Sequence, residues 1–141
     1  MKLLIACGYT GKAYSRNMHA IIETPQYLSN VRSAKLTPDE AEEIVLIIAQ
    51  NPTSGVVIPQ SGGARKLRFA GKGKGKSGGY RVITFWGGED IPVFLLALYA
   101  KNERADLTPG ERKDFRAFLT ALPAAYRAGV KRHGKSKKQD G

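Results

Sequence analysis

From residue 19 onward the chain alternates between two hydrophobic periods. His19-Ala20-Ile21-Ile22-Glu23 predicts a short strand, and Thr24 to Lys35 a short helix. Thr37-Pro38-Asp39-Glu40 opens a second helix. Thr37 is the N-cap, Pro38 takes the first helical position, whose N–H needs no partner, and Glu40 can reach back to the cap. Asp39, Glu40, Glu42 and Glu43 crowd the positive end of this helix. Its apolar face is Ala41, Ile44, Val45, Ile47 and Ile48. Asn51-Pro52 ends it, because a residue before proline avoids helical geometry. After a loop from Thr53 to Gly63, Lys66 to Phe69 alternates basic with apolar, which sends Leu67 and Phe69 to a core and Lys66 and Arg68 to the opposite face. Tyr80 to Trp86 is a further strand, Gly87-Gly88-Glu89-Asp90 a turn, and the almost wholly apolar Ile91 to Tyr99 a central strand covered on both sides. Thr108-Pro109-Gly110-Glu111 repeats the capping pattern and starts a last helix. Phe115, Phe118, Leu119 and Leu122 are expected to pack on the sheet, and Pro123 to kink or end the helix.

A length of 141 residues suits one domain with one core. Residues 1–18 are expected to be an extension outside the fold, residues 19–129 the domain, and residues 130–141 a basic disordered tail. Met18 stands directly before the first strand and is a candidate natural start. MKLLIACG has too short an apolar stretch for a signal peptide, and no run approaches the ~20 apolar residues of a membrane span. The single cysteine, Cys7, excludes an internal disulfide and a cysteine-based zinc site, which points to the cytoplasm. His19 and His133 are the only histidines, so a His-based acid/base pair is not expected, nor is any metal or cofactor.

The net charge of +11 changes the picture most, because it calls for a polyanionic partner, nucleic acid before an anionic membrane. Seven basic residues and no acidic one lie between Arg65 and Arg81: Arg65, Lys66, Arg68, Lys72, Lys74, Lys76 and Arg81. They sit at the mouth of a predicted β-hairpin, where they would gather phosphates. The Gly/Lys loop imitates two nucleotide motifs without matching either. Ala70 replaces the first glycine of a Walker A loop, and Gly73, Gly75 and Gly78 spell G-x-G-x-x-G. Both motifs need a helix after the loop, and here a strand follows. A kinase glycine loop does join two strands, but no kinase signature accompanies it. Glu103 and Asp106 are acids near the basic cluster and are expected to pair with Lys101 and Arg104.

The succession of a helix, GGARKLR, a Gly/Lys loop, SGGYRVITF and FLLALYAKNERADLTPGER resembles the RelE/HigB family of bacterial type II toxins, over about Ile21 to Leu122. The resemblance implies an α+β fold: a small, largely antiparallel sheet of about four strands, packed against N-terminal helices and a C-terminal helix, with helices against one face and a concave basic face opposite. It implies endonucleolytic cleavage of mRNA in the ribosomal A site. It also implies a cognate antitoxin, of helix-turn-helix DNA-binding type, through which operator DNA would be reached. The family's two basic strand residues match Lys66 and Arg68, and the arginine after the Gly-Tyr pair matches Arg81. A basic residue after the central strand falls at Lys101, while a second arginine position holds Asn102 and a tyrosine position holds Thr108.

RNA carries its own nucleophile in the 2′-OH. Cleavage needs that hydroxyl deprotonated, the phosphorane charge stabilised and the leaving 5′-oxygen protonated. Clustered Lys and Arg can address all three. Arg81 is the expected phosphate clamp, since its fork matches two phosphate oxygens. Lys66 and Arg68 would share base, acid and orienting duties. Arg65, Lys72, Lys74, Lys76 and Arg104 are expected to grip RNA backbone. The competing reading is a noncatalytic basic RNA-binding module that stacks bases on Tyr80, Phe85 or Trp86, although Phe85 and Trp86 are expected in the core.

Overall fold

The computed structural model describes residues 2–4, 18–70, 79–103 and 106–140, with side chains described for 18–70, 79–103 and 106–131. Its elements in chain order are β1 (Lys2–Leu4), β2 (Ile21–Glu23), α1 (Pro25–Ser33), α2 (Pro38–Gln50), β3 (Val56–Val57), β4 (Arg65–Phe69), β5 (Tyr80–Phe85), β6 (Val93–Ala100) and α3 (Pro109–Asp140). The strands form one sheet in the order β1-β2-β6-β5-β4-β3. All pairs are antiparallel except β2 with β6. The fold is α+β, as expected, but the sheet is wider than the four strands legible in the sequence. Five strands lie between Ile21 and Ala100, and Lys2–Leu4 adds a sixth at one edge, so part of the N-terminal extension joins the sheet.

Helix starts follow the predicted chemistry. Thr37 Oγ1 accepts the Glu40 N–H at 3.1 Å while Glu40 Oε1 accepts the Thr37 N–H at 3.0 Å. Thr108 and Glu111 repeat the arrangement at the start of α3. Thr24 caps α1 by accepting the Tyr27 N–H, and its hydroxyl donates to the Leu95 carbonyl at 2.8 Å, which ties that helix start to β6. Farther along α1, Asn30 Oδ1 accepts the Leu98 N–H at 3.0 Å.

Two apolar clusters cover the two faces of the sheet. On one face α1 and α2 bring Tyr27, Ile44, Val45 and Ile48 against Tyr80, Val82, Val93, Leu95 and Leu98. On the other, Phe115, Leu119, Leu122 and Tyr126 of α3 meet Ile83, Phe85, Phe94, Leu96 and Tyr99. Helices therefore flank both faces, which corrects the expectation of helices on one side only. Phe118 is also corrected: it is 52 % exposed, because its position on α3 turns away from the residues that touch the sheet. Pro123 does not end α3, which continues to Asp140 through the region expected to be a disordered tail. The missing N–H of Pro123 costs one backbone hydrogen bond, and the rest of the helix still closes around it.

A bulge in β6 decides which residues share a face. Ile83 pairs with Ala97 and Thr84 with Leu95, so Leu96 is the extra residue. Leu96 and Ala97 consequently both belong to the α3 side. The alternation beyond them is inverted, which places Tyr99 on the α3 side and Leu98 on the α1/α2 side.

Candidate active site

Side chains directly opposite each other on antiparallel strands share a face. Arg68 pairs with Arg81, and Arg81 pairs with Tyr99, so Arg68, Arg81 and Tyr99 form a row across β4, β5 and β6. Lys66 lies two residues from Arg68 and pairs with Ile83, on the same face. The three cations picked out on β4 and β5 thus share one surface. Leu67 and Phe69 pack into the opposite cluster, as their alternation predicts. Arg81 is only 6 % exposed, while Arg68 is exposed. The row runs from a buried guanidinium outward to a solvated one.

The other predicted residues fall in different places. Lys101 is exposed, one residue beyond β6, and its amide donates to the Gly79 carbonyl at 3.1 Å. That places it at the end of the sheet where the basic loop begins. Arg65 belongs to the opposite parity of β4, and its Nη1 donates to the Thr53 carbonyl at 3.0 Å, holding the loop before β3. Lys72, Lys74, Lys76 and Arg104 lie outside the described residues. Tyr80 packs among the α1/α2 residues; burial raises its pKa, with Glu40 and Glu103 adding to the effect, so it stays a neutral phenol away from the basic face.

Of the partners expected for the two acids, Arg104 lies outside the described residues. Asp106 does not pair with Lys101. Its Oδ1 lies 3.5 Å from Lys66 Nζ, and its Oδ2 accepts from Arg112 Nη2 at 3.1 Å. Oδ1 also accepts the Leu107 N–H at 2.8 Å. Burial works to raise the Asp106 pKa. The Leu107 N–H and the Lys66 and Arg112 cations outweigh it and hold the carboxyl below its usual range. Glu103 turns back on its own strand, where Oε1 accepts the Ala100 N–H. Asp106 was expected near the basic cluster but with other partners, whereas Tyr99 and Arg112 were missed as neighbours of the site. Tyr99 was concealed in an apolar run whose bulge no alternation reveals, and Arg112 by a contact between distant elements.

An open cleft of about 870 Å³ runs along the half of β6 beyond its pairing with β2, with Tyr99 in its wall. Asn30 and Ser33 of α1 and Phe115 of α3 line it, with Glu103, Glu111 and Asp114 among its walls. Those carboxylates give the cleft partly acidic walls.

The fold and site define a small α+β domain with two arginines aligned across β4 and β5 and a lysine on the same face. The family model described as the RelE toxin of the RelE/RelB toxin–antitoxin system matches residues 32–138, and the chain belongs to this family of toxins. An antitoxin partner follows from membership, and translation-inhibiting endoribonuclease activity is general in the family. No helix among the described residues is long and apolar enough to cross a membrane.

Proposed function

We propose that this toxin is an mRNA endoribonuclease acting at the ribosomal A site, with the Arg68–Arg81 face as its active site. The observation that carries the reading is the cross-strand alignment of Arg68 with Arg81, with Lys66 on the same face. In the proposed step the 2′-oxygen forms a bond to the adjacent phosphorus and the P–O5′ bond breaks. This leaves a 2′,3′-cyclic phosphate and a free 5′-hydroxyl. Arg81, fixed by burial, presents its fork to two phosphate oxygens as negative charge builds on them. Arg68, at the exposed end of the row, orients the incoming phosphate. Lys66, on the same face as Arg68 and Arg81, is the group that gives a proton to the leaving 5′-oxygen. Lys101 and the lysines at 72, 74 and 76 extend the positive surface along the RNA backbone, and the 2′-OH proton passes to a basic group among them or to solvent. One well-placed donor to the developing charge contributes about 3–4 kcal/mol, by analogy with oxyanion donors.

Growth inhibition and mRNA 5′-end mapping after induced expression test this reading together. The wild type should generate new ends within coding regions. Arg81→Ala should abolish both effects while still binding the cognate antitoxin. Arg81→Lys, which keeps the charge and loses the fork, should retain no more than about a tenth of the cleavage. A fully toxic Arg81→Ala variant would remove Arg81 from the chemistry. Growth arrest without new ends would instead support the noncatalytic RNA-binding reading.

A further inference from the structure

Asp106 joins two cations that come from separate parts of the fold. Lys66 belongs to β4 and Arg112 to the second turn of α3, yet both reach one carboxylate, at 3.5 and 3.1 Å. The start of α3 does not need this carboxylate, because Thr108 and Glu111 already form a complete capping box there. Nor is the carboxylate locked in place: 42 % of the Asp106 side chain is exposed, with 28 % of Lys66 and 29 % of Arg112. Arg112 Nε is buried without a hydrogen-bond partner among the described residues, so its guanidinium has donor capacity that Asp106 does not use. Two cations held around two oxygens of one acid group reproduce the contacts a phosphodiester makes with its two non-bridging oxygens.

We propose that Lys66 and Arg112 form a phosphate subsite, occupied in the free protein by the Asp106 carboxylate, and that RNA binding exchanges this carboxylate for a backbone phosphate. The inference rests on the RNA-cleaving reading and adds Arg112, on α3, to the substrate-contacting residues. It also gives Asp106 a definite task. The carboxylate keeps two like-charged side chains together before substrate arrives, then yields to an anion that contacts Arg68 and Arg81 as well. The subsite lies two strand positions from Arg68, so it would take a phosphate next to the one being cleaved rather than the scissile group itself.

The test measures binding of a 2′-O-methyl oligoribonucleotide, which cannot be cleaved, to the full chain by fluorescence anisotropy across a salt series. Arg112→Gln should weaken binding about fivefold, the effect of one unit charge at contact distance in water, and lower the salt slope by roughly 0.7. Asp106→Asn should tighten binding by a similar factor, because it empties the subsite while leaving both cations. Asp114→Asn removes the same charge from α3 without touching Lys66 and should change affinity less than about twofold. Equal gains from Asp106→Asn and Asp114→Asn would reduce the effect to net charge and overturn the inference. Weakened or unchanged binding by Asp106→Asn would do the same, as would an unaltered affinity and slope for Arg112→Gln. A wild type that ignores the oligonucleotide both alone and with ribosomes present overturns the RNA reading itself, an outcome distinct from these.

Discussion

At the scale of single residues, burial and charge state divide the tyrosines and acids into different roles. Tyr27, on the sheet-facing side of α1, is wholly buried, and its hydroxyl finds no hydrogen-bond partner among the described residues. Burial, and secondarily the charge of Glu23, push its pKa far upward, so it never ionises in the physiological range. Because a buried hydroxyl without a partner is a net cost, Tyr27→Phe should stabilise the fold by about 1 kcal/mol in urea unfolding, and a loss of stability would reveal a hidden partner. Asp90 and Asp106 give the acid response. The Arg127 hydrogen bond holds Asp90 below its ordinary value of 3.8, and Asp106 is likewise depressed once the Leu107 N–H and its cations outweigh burial. A carboxylate whose pKa is lower folded than unfolded contributes stability above the unfolded value and loses it as pH falls through the folded one. Melting temperature should therefore be level above about pH 5 and decline below about pH 4. For Asp106→Asn that decline should be shallower.

Elements show where the sequence could be read and where it could not. The helix caps were legible because capping chemistry is local: a Thr and a Glu three residues apart suffice. Alternation likewise assigned Leu67, Phe69, Lys66 and Arg68 to their faces. What alternation cannot give is register, so the alignment of Arg68 with Arg81 emerges only once the strands are paired. Tyr99 illustrates the limit, since the bulge at Leu96 reverses its parity within an unbroken apolar run. Strand β3 was illegible for another reason. Its two residues, Val56 and Val57, are exposed and depend on Gly55, whose φ of +93° brings the chain against β4. A Cβ at Gly55 would stand 2.6 Å from the Lys66 carbonyl oxygen. Gly55→Ala should cost about 1–3 kcal/mol in unfolding experiments. Because it pushes on the backbone of Lys66, it should also lower cleavage more than RNA binding. A variant equal to wild type in both would show that β4 tolerates the shift.

At the scale of the whole molecule, charge is distributed unevenly over a chain that carries +11 overall. The Arg68–Arg81 face is cationic, whereas the cleft along β6 is bordered by Glu103, Glu111 and Asp114. Replacing Lys72, Lys74 and Lys76 together by Ala should flatten the salt dependence of RNA or ribosome binding by roughly 0.7 for each phosphate no longer gripped. An unchanged slope would remove the loop from the interface. The parallel pairing of Ile21–Glu23 with Val93–Leu95 has a consequence for synthesis as well. The second strand of the chain must wait for the last before it has a neighbour on that side, and such distant partners are slow to meet. A nascent chain arrested before Val93 should be digested readily by protease, and one released after α3 should resist. During most of its own translation the polypeptide thus lacks the strand that pairs beside Arg81, and the row of β4, β5 and β6 is assembled only as synthesis nears its end.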